Sequence, residues 1–173
     1  MRYWVLAAIL GVAFLAQTTV VGFLQIGGVA PNLLQAVVVS YGLLFGPQVG
    51  AVAGALAGLL RDVAFGRYIG LSVLSLGAVG WVAGLVERRV YKENPLLPVL
   101  GGLLSTFLAE GIHYAVLRLL DPDLVAAVPV SRRVLPGALY TTAVTFLAYR
   151  RILRAYAYLR PESGGVIRSV RRR

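Results

Sequence analysis

The sequence predicts an all-α integral membrane protein, with six transmembrane helices in one compact bundle. Three observations carry this. Of 173 residues, 58% are hydrophobic and only 14% are charged, whereas a soluble domain carries about a quarter charged residues. Runs such as Trp4–Val21 and Leu103–Ala109 contain no charge at all, and a bilayer core needs about 20 apolar residues per helix. The basic residues are also gathered to one side of the segments so defined. There is no cysteine, which excludes disulfides and thiolate metal sites. We expect a six-span membrane domain over residues 1–155 and a basic cytoplasmic tail over 156–173.

The first span covers about Tyr3–Leu24. Arg2 and the apolar run after it resemble a signal peptide, but the run is too long for an h-region and lacks a small-x-small cleavage site, so an uncleaved span is expected. The second span runs from Asn32 to Phe45, opened by Pro31, a residue tolerated in a first helical turn. The third runs from Gln48 to about Leu60. These two are short: 14 residues cover roughly 21 Å, less than the ~30 Å core. Either they thin the bilayer locally or Gly46-Pro47 makes them a bent pair. Merging them gives a five-span alternative. The fourth span is Ile69–Val86, the fifth Leu96–Leu119 and the sixth about Val134–Tyr149, with Pro136 early in it.

Charge orients the spans, because cytoplasmic loops are enriched in Lys and Arg. With six spans, one side holds Arg2, Arg88, Arg89, Lys92 and the eight arginines from Arg150 onward, twelve in all. The other side holds five: Arg61, Arg67, Arg118, Arg132 and Arg133. Both termini are therefore expected in the cytoplasm. Five spans would split the two large clusters across the membrane.

Gly46, Gly50, Gly54 and Gly58 form three overlapping G-x-x-x-G units, expected on one helix. In lipid no hydrophobic force drives helices together, so close backbone approach and dispersion must do so. The ridge is read as a packing surface within the chain or as a seat for a partner's helix. Arg61 and Asp62 mark the outer end of this span. Arg61 can snorkel to the headgroups. Asp62 lies on the glycine face, where it can cap the next segment, pair with Arg67 or border a polar pocket. Glu110 and His113, at i and i+3, share one face of the fifth span. A di-iron bundle would need a second such motif and two further glutamates, so no metal is expected. The pair reads equally as a self-satisfied hydrogen-bonded couple or as part of an outward-facing polar pocket with Asp62. Gln17, Asn32, Gln35 and Gln48 read as interhelical hydrogen-bond partners.

The net charge of +10 does not point to nucleic acid, since no reading element accompanies it. Arg150, Arg151 and Arg154 open a tail suited to anionic lipids, worth about 1 kcal/mol per basic residue near the surface. No nucleophile–base pair, phosphate loop or zinc spacing is present. No catalytic residue and no cofactor is expected.

The stretch "PNLLQAVVVSYGLLFGPQVGAVAGALAGLLRDVAFGRYIG" resembles the core of MreD, the bacterial rod-shape-determining membrane protein family. The resemblance rests on Pro31, Gly54, Gly58-Leu59, Asp62 and Gly70, and on "VLPGALYTTAV" with Pro136 and Tyr140. An Asn commonly follows that Tyr in the family; here it is Thr141. The resemblance implies a non-enzymatic scaffold of the elongasome in the bacterial cytoplasmic membrane. Its implied partners are MreC, a single-span protein with a periplasmic domain, and beyond it RodA, the elongation transpeptidase and MreB. A homo-oligomer is a further option. The family is also similar in fold to the S-component of energy-coupling-factor transporters, which supplies the rival reading of a vitamin-binding subunit. An enzyme or flippase acting on lipid-linked precursors, the third class, lacks a constellation of acid, base or metal ligands.

Overall fold

The structure, a computed structural model, describes residues 2–19, 29–65, 68–86, 94–120 and 130–159. These form six helices and no strand: α1 (Arg2–Thr19), α2 (Leu33–Phe45), α3 (Pro47–Phe65), α4 (Leu71–Leu85), α5 (Leu96–Leu120) and α6 (Val130–Leu159).

Helix α2 is the axis of the bundle. Every residue from Leu34 to Leu44 is buried, because α1, α3, α4, α5 and α6 all pack on it. Its sequence, LLQAVVVSYGLLF, is apolar on all sides, as an encased helix requires. Asn32 starts it: the side-chain oxygen accepts from the Gln35 N–H at 3.0 Å, an N-cap. Gly46 stops it. Its φ of 91° is the left-handed value that favours glycine, and its N–H donates to the Gly42 carbonyl at 2.9 Å. Pro47 then opens α3 with no intervening loop, its missing N–H costing nothing at a first helical position.

Two helical hairpins flank the axis. Helices α3 and α4 make the most extensive contact in the molecule, and α5 with α6 the next. The outward surface is apolar: Val12, Leu15, Val63, Ile69, Leu104, Leu119, Leu139 and Leu147 are all more than half exposed. The buried set, in contrast, includes Gln35, Ser40, Asp62, Ser72, Ser75, Ser105, Thr106, Thr141 and Thr145. Apolar side chains outside and hydrogen-bonded polar ones inside is the arrangement a lipid solvent selects. Helices α3 and α5 are each long and apolar enough to cross a membrane.

Three boundaries differ from the sequence reading. Helix α3 continues to Phe65, so Arg61 and Asp62 lie within it, and at 19 residues it is not short. Gly46 sits at the α2–α3 break and is not the first member of a ridge on α3. Helix α6 starts at Val130, which puts Pro136 inside the helix, and it runs past the expected domain boundary at residue 155. Helix α1 is described as far as Thr19, and the remainder of its expected span lies outside the described residues. So do Arg67, Arg88, Arg89, Lys92, the side chains of Arg132 and Arg133, and the tail beyond Leu159.

Candidate functional site

Gly50, Gly54 and Gly58 line the face of α3 that meets α4. A Cβ at Gly50 would overlap the Gly80 carbonyl, one at Gly54 the Leu76 carbonyl, and one at Gly58 the Ser72 carbonyl. The contact is reciprocal, since a Cβ at Gly80 would strike Gly50 and one at Gly84 would strike Pro47. Residues ascending on α3 thus meet residues descending on α4, four at a time, so the pair is antiparallel with backbones in direct contact. Gly42 of α2 joins the seam: its Cβ would come within 2.6 Å of the same Gly80 carbonyl. The glycines that could have seated a partner's helix are occupied by α4 of the same chain. The α4 half of the seam escaped the sequence reading, although Ser72, Leu76, Gly80 and Gly84 repeat at the same interval.

Asp62 closes the end of this seam where α3 finishes and α4 begins. It is only 3% exposed. Its carboxylate accepts from the Gly70 N–H at 2.7 Å, from Ser72 N–H at 3.1 and 3.2 Å and from Val73 N–H at 3.4 Å. Gly70, at φ 102°, stands in the N-cap position of α4 without a side chain to cap it. The aspartate of the preceding helix does so instead, and its charge complements the positive end of the α4 dipole. The adjacent Arg61 is half-buried.

A second polar cluster gathers at the N-terminal end of α2. Gln17 of α1 donates to the Pro31 carbonyl at 3.2 Å and accepts from Leu33 N–H at 2.6 Å. The Asn32 N–H donates to Thr141 of α6 at 3.2 Å. Gln35 donates to Ser105 and Thr106 of α5 at 3.0 and 3.1 Å. Three helices, α1, α5 and α6, are thereby tied to the short segment that opens α2. Thr141 supplies the acceptor from α6. Replacing Gln35 by Leu is expected to lower detergent stability by about 1 kcal/mol, the scale of one interhelical hydrogen bond in a bilayer protein; a thermal melt equal to wild type would refute it.

Glu110 and His113 sit in the C-terminal half of α5, Glu110 exposed and His113 partly buried. Among the described residues no hydrogen bond joins them. Both are within electrostatic reach of Arg61 from α3. No group of three or more metal-binding side chains occurs among the described residues. At the other end of the bundle Arg150, Arg151 and Arg154 are exposed on α6, with the Arg150 guanidinium 5.4 Å from the centre of the Phe146 ring.

A family model described as rod shape-determining protein MreD matches residues 1–150, most of the chain. The chain belongs to the MreD family. It is therefore a rod-shape-determining membrane protein, in a family that determines cell shape and is not known for enzymes. No curated protein and no solved structure matches it. The expected likeness to transporter S-components accordingly rests on the MreD resemblance alone. Within the MreD match fall both halves of the glycine seam, Asp62, the α2 cluster and Glu110.

Proposed function

We propose that this chain is a non-enzymatic scaffold of the cell-wall elongation machinery, which binds the single-span protein MreC and through it connects to MreB, RodA and the elongation transpeptidase. Beside the family match, one observation supports this: several of the intramembrane polar groups are engaged in holding helices together. Asp62 caps α4, and Gln35, Asn32 and Gln17 bind α5, α6 and the start of α2. A vitamin-binding subunit would need such groups converging on a ligand cavity. The test is co-purification with MreC from membranes containing both proteins, together with a thermal-shift screen against vitamins. Retention of MreC with no vitamin shift supports the scaffold; a saturable vitamin shift without MreC supports the transporter subunit.

The proposal includes multi-pass insertion in the cytoplasmic membrane with both termini inside, on the strength of the twelve-to-five basic asymmetry. A C-terminal reporter that is active only outside the cytoplasm is expected to stay silent, and strong activity would overturn the orientation. Arg150, Arg151 and Arg154 then face the inner leaflet, where anionic headgroups attract them.

A further inference from the structure

The surface of α6 carries one unbroken exposed ridge. Leu135, Leu139, Ala143, Leu147 and Arg151, spaced four apart, all lie on the outside of the bundle. The first four are apolar and the last is a cation. The change falls where the charge-free stretch Val134–Tyr149 ends, after ~24 Å of helix.

That cation belongs to an array. At about 100° per residue, Arg150, Arg151 and Arg154 stand about 100°, 200° and 140° round from Tyr149, within one sector of the helix. Tyr149 and Ile152 are buried on the other side, with Leu153 packed beside them. The bundle therefore holds this turn of α6 in place and turns the three arginines outward. All three lie within ~8 Å of Tyr149 along the axis, the depth of one headgroup layer. Side chains lean toward the N-terminus of their helix, which for these arginines is back toward the bilayer. Arg150 shows this lean, its guanidinium 5.4 Å from the centre of the Phe146 ring one turn earlier. Stacked in this way, a guanidinium keeps its N–H edge free for an oxyanion. The acidic residues among the described ones, Asp62 and Glu110, lie at the opposite end of the bundle, so neither neutralises the array.

From this we infer that α6 carries a site for one anionic phospholipid. Arg150, Arg151 and Arg154 take its phosphodiester, and an acyl chain lies along Leu147, Ala143 and Leu139. The dimensions agree: from Arg151 to Leu139 the ridge covers ~18 Å, close to the ~15 Å thickness of one leaflet's hydrocarbon. An acidic protein segment would match the charge but not the apolar ridge below it. Free phosphate would use the arginines alone. The inference does not depend on the scaffold reading, since the ligand comes from the bilayer itself.

The test uses the full chain in an uncharged detergent. Phosphatidylglycerol is expected to raise the melting temperature saturably. Phosphatidylcholine, which has a phosphodiester but no net charge, should leave it in place, as should inorganic phosphate and the deacylated headgroup glycerophosphoglycerol. Replacing Arg150, Arg151 and Arg154 together by Gln is expected to weaken phosphatidylglycerol binding about a hundredfold, at roughly fivefold per arginine. The melt in phosphatidylcholine should not change. Replacing Arg171, Arg172 and Arg173 by Gln removes the same charge from the tail and should leave the affinity near wild type. If the tail variant loses as much as the α6 variant, the attraction is diffuse and the site falls. An equal shift with inorganic phosphate or glycerophosphoglycerol would make this a phosphate site and overturn the lipid. No shift with phosphatidylglycerol would overturn both. Should the triple α6 variant melt low in phosphatidylcholine, Arg151→Gln alone decides, and wild-type affinity in that variant would overturn the site.

Discussion

Gly54→Leu is expected to prevent the chain from reaching a folded, monodisperse state in membranes or detergent. Gly54 is the middle of the three α3 glycines in the seam, and its Cα–H is aimed at the Leu76 carbonyl of α4, a geometry in which weak C–H···O contacts add to dispersion. Overpacking a soluble core costs about 1–3 kcal/mol because side chains shift to make room. Here the obstructing atoms are backbone on both sides, so the helices themselves must part. Parting them also pulls Gly50 from Gly80 and Gly58 from Ser72, so the loss spreads along the most extensive interface in the bundle. Gly54→Ala should fold with a lowered melting temperature, and Gly11→Leu, where nothing stands within 4 Å, should be neutral. Size-exclusion profiles and thermal melts of the three variants check the series. A Gly54→Leu protein that elutes and melts like wild type would mean that α3 and α4 do not meet at this seam.

Much of the architecture was legible because lipid imposes simple rules. The charge-free runs mark helices, and Gly46-Pro47 marks the break between α2 and α3, where no loop intervenes. What escaped was set by non-local partners. Arg61 and Asp62 read as the end of a span because charge normally marks a boundary, yet α3 continues to Phe65. The sequence could not show that the Asp62 carboxylate would be consumed by amides eight to eleven residues further on. The α4 half of the seam was hidden for a different reason. Its repeat contains Leu76, a large residue in a row of small ones, and there the backbone carbonyl makes the contact while the side chain is buried elsewhere. Gln35 was visible as an interhelical bonder, but its partners Ser105 and Thr106 lie some seventy residues away. Glu110 and His113 share a face as their spacing requires, but that spacing did not reveal that Glu110 would point out of the bundle.

Asp62→Ala is expected to be the most damaging polar substitution in the chain. The aspartate gives α4 what its own N-cap glycine cannot, an acceptor for the free N–H groups of its first turn. Loss of an ordinary N-cap costs about 1 kcal/mol. The carboxylate and the Ser72 amide it serves are buried, so its removal also leaves that amide without a partner, at about 1–3 kcal/mol for such an orphaned group, while the part-buried amides of Gly70 and Val73 lose their acceptor as well. Together the effect should be roughly 3 kcal/mol, enough to fray the outer turn of α4 while the seam below it holds α3 and α4 together. Asp62→Asn keeps one acceptor oxygen and should recover part of the loss, whereas Asp62→Glu must fit an added methylene beside Ser72 and should recover less. Hydrogen exchange separates this from general unfolding. In Asp62→Ala, protection should fall first at the amides of residues 70–73 and remain near wild type at Leu76 and Gly80, where the seam continues. Uniform loss of protection along α4 would instead mean that Asp62 sustains the whole hairpin, and unchanged exchange at residues 70–73 would mean that it does not cap α4 at all.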